Sequence, residues 1–80
     1  MSKKIRILPD QYICKQGDAA STAFLVITGS FAVEIDNKKV GSIGEGEIFG
    51  ELSLILSEPR KASIKAIIPS EVVEIKKNAL

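Results

Sequence analysis

Apolar and polar residues alternate along much of the chain, the period of strands that rest one face on a core. Ile5 and Ile7 alternate with Lys4 and Arg6, and Phe31, Val33 and Ile35 with Ala32, Glu34 and Asp36. Ala62, Ile64, Ala66 and Ile68 alternate with Ser63 and Lys65, and Val73 and Ile75 with Glu74 and Lys76. The run Ala23 to Ile27 is apolar throughout, the pattern of a strand covered on both faces. All six glycines fall between these runs, where the backbone turns. Thr28-Gly29-Ser30 separates two strands at hairpin distance, and Asp36-Asn37-Lys38 separates two more. Short strands at intervals of roughly 8–12 residues predict an all-β sandwich or barrel rather than a parallel sheet.

One segment breaks the alternation. Glu51 to Ser57 reads ELSLILS, with Leu52, Ile55 and Leu56 at i, i+3 and i+4. That spacing predicts about two turns of amphipathic helix between two strands. Gly50 precedes it and Pro59 stops it. A helix carried by a loop of a small β domain marks that loop as a functional candidate. Beyond the last strand, Lys76 to Leu80 reads as a strand exit with Asn78 as the N-cap of a further helix. The expectation is one domain over residues 1–80 that stops before a C-terminal helical element.

Composition narrows the function more than the fold. A chain of 80 residues supports one domain with a single modest core. Its 45% hydrophobic and 26% charged residues are those of an ordinary globular protein. Eleven basic and ten acidic residues give a formal net charge of +1, which supplies no general attraction for nucleic acid or a membrane surface. Tyr12 and three phenylalanines make no stacking surface for nucleic-acid bases. An anion bound here must therefore be bound locally. With no histidine and only Cys14 as a thiol, zinc, copper and non-haem iron centres are disfavoured, as is every histidine-based dyad or triad. No cofactor, metal or catalytic role is expected. Cys14 reads as a small apolar strand residue, and a lone cysteine fits a reducing compartment. The basic start, Met1 to Arg6, lacks a following apolar region, and no stretch is long enough to span a bilayer, so the expected setting is cytoplasmic.

The helical insert has its own chemistry. A first helical turn offers unpaired N–H groups and the positive end of the helix dipole, which suit a phosphate. Gly50 would let a ligand approach that backbone closely. Arg60 is one of only two arginines, and its planar fork matches phosphate oxygens in a way lysine does not. Glu51 adds an acceptor beside them, which makes a sugar hydroxyl next to a phosphate a coherent target. Each signal also has a plainer reading. Glutamate in a first turn offsets the helix dipole, and an arginine after a proline turn is commonly a solvated surface charge.

The stretch FGELSLILSEPRKASIKA resembles the phosphate-binding cassette of cyclic nucleotide-binding domains. That cassette reads F-G-E-L-(A/S/G)-L, a short spacer, then P-R-(A/S/T)-A-(T/S)-V. Phe49, Gly50, Glu51, Leu52, Ser53 and Leu54, then Pro59, Arg60, Ala62, Ser63 and Ile64, match it and keep the nine-residue separation of Glu and Arg. Tyr12 to Asp18, Phe24 to Gly29 and Ser42 to Gly46 extend the similarity over residues 5–76. It is nearest to the cyclic AMP domains of protein kinase A regulatory subunits.

The resemblance implies a flattened eight-stranded jelly-roll β-sandwich with one short helix in the cassette and its C-terminal lid helices largely absent. It implies that Arg60 pairs with the cyclic phosphate and that Glu51 accepts from the ribose 2′-hydroxyl. Backbone N–H groups around Leu52, Ser53 and Ala62 would complete the cradle, and Val33, Val40 and Ile64 would line the pocket near ribose and base. The implied function is a non-enzymatic sensor of a cyclic purine nucleotide, cyclic AMP ahead of cyclic GMP, that signals to an effector domain or partner. The alternative is the same fold with its pocket unused, serving as a structural or interaction domain. Metal-dependent jelly-roll enzymes would need histidines that this chain lacks. Two positions depart from the family. Asp10 stands where glycine is usual, a mild change because aspartate tolerates turn conformations. Lys61 follows the arginine where cyclic AMP binders often have alanine or serine and cyclic GMP binders threonine. It would lean to solvent or add a second phosphate contact.

Overall fold

The alternating runs form eight strands in the computed structural model, which describes residues 3–76, without the side chains of residues 52–54. In chain order these are β1 (Lys3–Ile7), β2 (Tyr12–Cys14), β3 (Thr22–Thr28), β4 (Ser30–Ile35), β5 (Lys38–Gly44), β6 (Ile48–Phe49), the helix α1 (Glu51–Leu56), β7 (Ser63–Ala66) and β8 (Ser70–Lys76). They make two four-stranded sheets, ordered β1-β8-β3-β6 and β2-β7-β4-β5, with every pair antiparallel. This is the expected flattened eight-stranded jelly-roll sandwich. The helix expected from Asn78 lies outside the described residues.

Between the sheets lie Ile7, Phe24, Val26, Phe31, Phe49, Ile64, Ala66 and Val72. Phe24 stacks on Phe49 with ring centroids 5.2 Å apart, and Phe31 from the opposite sheet meets Phe49 at 5.8 Å. Three rings thus join the two layers at the strand that leads into α1, giving the cassette a rigid floor.

The Asp36-Asn37 hairpin forms as expected. Ile35 pairs with Lys38, and Asp36 and Asn37 take φ of 53° and 66°, the signature of a type I′ turn. Thr28-Gly29-Ser30 behaves differently. It joins β3 of one sheet to β4 of the other, so it is a corner between layers rather than a hairpin. Gly29 has φ of +105°, and a Cβ there would lie 2.0 Å from Ser70 Oγ. The buried Ser70 hydroxyl donates to the Ile68 carbonyl at 2.7 Å and accepts from the Ser30 N–H at 3.2 Å, which fastens the corner to β8.

The phase of β8 is also not the expected one. Ser70 and Val72 are buried, whereas Val73 and Ile75 are half-buried on the outer face. β8 runs between β1 and β3 and pairs Val72 with Ile5 and Val26, which fixes the inward set. In β3, Ala23, Phe24 and Val26 are buried, while Leu25 and Ile27 are half-buried, so its outer face is covered only in part. The helix ends at Leu56, one residue short of the expected limit, and Ser57 turns the chain with φ of 56°. Asp10 adopts φ of 68°, the turn conformation its sequence position called for.

Candidate functional site

Arg60 is built into the protein at both its backbone and its side chain. Its N–H donates to the Asp18 carbonyl at 2.8 Å and its carbonyl accepts from the Gly17 N–H at 2.8 Å, so the β2–β3 turn clamps it. The side chain is buried, 6% exposed. Nη1 donates to the Gly50 carbonyl at 3.0 Å and Nη2 donates to the Thr22 carbonyl. The guanidinium carbon lies 5.6 Å from the centroid of the Phe24 ring, within cation–π range. Among the described residues no carboxylate forms an ion pair with it. A buried cation held only by carbonyl dipoles and a ring face keeps much of its unbalanced charge.

Glycine is required at position 50 for two reasons. Its φ is +82°, and a Cβ there would lie 2.3 Å from Arg60 Nη1. The helix therefore begins where backbone and guanidinium touch.

A cavity of about 180 Å³ opens at this point, lined by Cys14, Phe49, Gly50, Arg60, Lys61, Ala62 and Ile64. The structure thus brings together six residues that the sequence singled out and adds Cys14. The thiol arrives because β2 pairs with β7 and sets Cys14 opposite Ile64. No spacing in the sequence announces that approach, since the two residues are far apart along the chain. Burial pushes the Cys14 thiol above its usual pKa, and the nearby Arg60 charge partly opposes this.

The remaining expected residues lie elsewhere. Glu51 heads α1 and is half-buried, and its Oε2 is enclosed with no hydrogen-bond partner among the described residues. Leu52 and Ser53 fall within α1, but their side chains lie outside the description. Val33 does not line the cavity; it is half-buried and packs against the core. Val40 does not line it either and is 60% exposed. Val33 pairs with Gly41 while Glu34 pairs with Lys39, which leaves Val40 as the extra residue of a bulge. Lys61 leans outward: its Nζ lies 3.5 Å from Glu58 Oε1, and its side chain is 67% exposed. Among the described residues no group of histidine, cysteine and acidic side chains could hold a metal ion, and no helix is long and apolar enough to cross a membrane.

Comparison with known proteins places this geometry. A family model for the cyclic nucleotide-binding domain matches residues 4–80. A cGMP-dependent protein kinase of Eimeria tenella is 38% identical over 72 residues, which are 90% of this chain and 7% of the kinase. A cGMP-dependent protein kinase of Toxoplasma gondii is 33% identical over 64 residues, 80% of this chain and 6% of that one. The chain thus spans only a small fraction of the length of these relatives. Among solved structures, cAMP-bound PfPKA-R superposes with a TM-score of 0.92 at 32% identity, covering 96% of this chain and 27% of that one. The EAL enzyme Bd1971 in its cGMP-bound form gives 0.89 at 31% identity, covering 96% of this chain and 22% of that one.

Proposed function

Because the chain belongs to the cyclic nucleotide-binding domain family, we propose that it binds a cyclic purine nucleotide in the Arg60 cavity and acts as a regulatory sensor. The observation that carries this is the buried Arg60 guanidinium, which lines a cavity beside Gly50 with no carboxylate balancing it among the described residues. A cyclic phosphodiester brings one negative charge and acceptor oxygens, the complement such a group lacks. The enclosed Glu51 Oε2, without a partner among the described residues, supports a ribose hydroxyl as the second contact. Family members bound to cAMP and to cGMP support the ligand class. The sequence favoured cyclic AMP, but no lining side chain is an acceptor for the adenine amino group, so the proposal covers both purines.

The domain's role is then to bind and report, with the effector supplied by another domain or a partner. The free Cys14 thiol fits a cytoplasmic setting. The near-neutral charge supports neither nucleic acid nor a membrane as its partner.

Calorimetric titration of wild type and Arg60→Ala with cyclic AMP and cyclic GMP tests this, with circular dichroism verifying the variant's fold. Binding of at least one nucleotide, weakened by about a hundredfold or more in the variant, is expected, since two charge-assisted bonds are removed. Unchanged affinity in the variant would overturn the site. A second reading, a domain with its pocket unused, is favoured by the engagement of Arg60 donors with the Gly50 and Thr22 carbonyls. No heat at millimolar ligand would support that reading instead.

A further inference from the structure

We propose that the outer edge of β1 is a docking site for an extended, acidic segment of a partner protein, which joins the first sheet as a fifth strand. β1 ends the sheet β1-β8-β3-β6, and among the described residues nothing pairs with its other side. An edge strand presents a row of unpaired N–H and C=O groups, a ready template for another strand. The other three described edges are interrupted or short. β5 carries the bulge at Val40, β2 is irregular between Tyr12 and Cys14, and β6 has two residues. β1 keeps an unbroken register over five residues, from Lys3 opposite Glu74 to Ile7 opposite Ser70.

The side chains of β1 set the chemistry of the occupant. The strand reads KKIRI, three cations and no carboxylate. Ile7 is buried and Ile5 packs against the core, so Lys4 and Arg6 share the outer face. Both lean on one carboxylate: Lys4 Nζ lies 3.9 Å from Glu71 Oε1, and Arg6 Nε lies 3.4 Å from Glu71 Oε2. That leaves a positive charge in excess. The Arg6 side chain is 88% exposed and meets Glu71 through Nε, which keeps its Nη fork available to a second carboxylate. A second copy of this chain fits poorly. Two antiparallel β1 strands centred on Ile5 would set Lys4 against Arg6 twice, and like charges directly opposite repel. An acidic strand meets attraction at both positions.

A second feature extends the site at the same end. An open groove of about 310 Å³ is lined by Arg6, Leu8, Pro69 and Glu71, and Leu8 is 61% exposed. It shares no lining residue with the Arg60 cavity. An apolar residue placed opposite Leu8 would withdraw Leu8 and Pro69 from water. In antiparallel pairing, the more stable arrangement per residue, the segment that fits runs Leu-Val-Glu-Val-Glu. Its leucine then lies opposite Leu8 and its glutamates opposite Arg6 and Lys4.

The probe is that pentapeptide, acetylated at its N-terminus and carrying a C-terminal fluorophore, titrated with the chain and followed by anisotropy. Saturable binding is expected, together with slowed hydrogen exchange at β1 amides. Replacing both glutamates with lysine is expected to weaken binding about tenfold, since two cross-strand charge pairs are lost. The double variant Lys4→Gln with Arg6→Gln is expected to do the same, with circular dichroism verifying its fold. Backbone N-methylation of the peptide separates strand pairing from charge attraction. Alternate residues of a strand aim their amides at one neighbour, so methylating one of two adjacent residues is expected to abolish binding and methylating the other to spare it. Two methylated peptides that both bind like the parent would overturn the proposal by reducing it to charge alone. So would undiminished binding of the lysine peptide, or no saturable binding at millimolar peptide. Self-association of the chain in sedimentation, with β1 amides protected in the absence of peptide, would also overturn it.

Discussion

Arg60 Nη1 lies 3.0 Å from the carbonyl oxygen of Gly50, so the arginine that follows the cassette helix is bonded to the residue just before it. The loop from 50 to 60 is thereby closed on itself by a side chain rather than by a strand pair. Its two ends are anchored separately, Arg60 by the Gly17–Asp18 turn and Phe49 by the stacked Phe24 ring. A ligand that draws on the guanidinium acts directly on the start of α1.

Gly50→Ala is the sharpest test of this closure. A left-handed conformation costs a residue with a Cβ about 1–2 kcal/mol. The added carbon would also sit 2.3 Å from Nη1 and displace the guanidinium. The variant is expected to unfold at lower urea, by about 1–3 kcal/mol in total, and to lose at least about tenfold in nucleotide affinity. Wild-type values in both urea melts and calorimetry would show that the contact is dispensable.

Cys14 reports on cavity occupancy. The thiolate is the reacting species, and the raised pKa keeps this thiol protonated near neutral pH. Alkylation by iodoacetamide is expected to run slower than for an unstructured cysteine and to quicken as pH rises. Because Cys14 lines the cavity, saturating cyclic nucleotide is expected to slow it further, by about tenfold or more at high occupancy. Mass spectrometry of timed aliquots measures the rate. A rate indifferent to the nucleotide would place the ligand elsewhere.

The cassette was legible because Gly50, Glu51 and Arg60 sit within one short segment whose residue types and spacing match the family pattern. The sheet phases were harder. Val72 and Val73 are both apolar, so period two alone could not choose between them until Val72 met Ile5 and Val26 across the sheet. The Gly29 corner was misread for a similar reason, since a tight turn between strands has the same local signature whether the strands pair or part. Val40 stands outside the cavity lining because of a bulge that no local residue announces. Cys14 entered the cavity only through the pairing of β2 with β7. What escaped the sequence was in each case a relation between distant segments.

The corner makes its own prediction. In Gly29→Ala the added carbon would lie 2.0 Å from Ser70 Oγ and 2.7 Å from the Ser70 Cα, so backbone as well as side chain must move. Strain at φ of +105° adds to the clash. A loss of more than about 2 kcal/mol is expected in urea unfolding. Gly29→Ala with Ser70→Gly should recover part of it, because the Oγ clash is removed. No recovery in the double variant would locate the cost in the backbone, through strain at position 29 and the contact with the Cα of residue 70.

A pH prediction follows from Tyr12 and Glu34, which meet across the outer face of the second sheet. The Tyr12 hydroxyl donates to Glu34 Oε1 at 2.7 Å, and Lys65 Nζ lies 3.5 Å from Oε2. The hydrogen bond, aided by Lys65, holds the Glu34 carboxyl below its ordinary pKa. The same bond, with burial and the Glu34 charge, lifts the Tyr12 phenol above its own. The depressed carboxyl stabilises the fold above the ordinary glutamate value of about 4.3 and loses that effect as pH falls through its lowered pKa. The raised phenol stabilises it fully below about 10 and loses that effect as pH rises through its raised pKa. The stability gap between wild type and Tyr12→Phe should therefore be widest near neutral pH and shrink in both directions. Urea midpoints for both proteins at acid, neutral and alkaline pH measure it. A gap that persists unchanged in acid would show that packing of the ring, rather than the hydrogen bond, is what Tyr12 contributes.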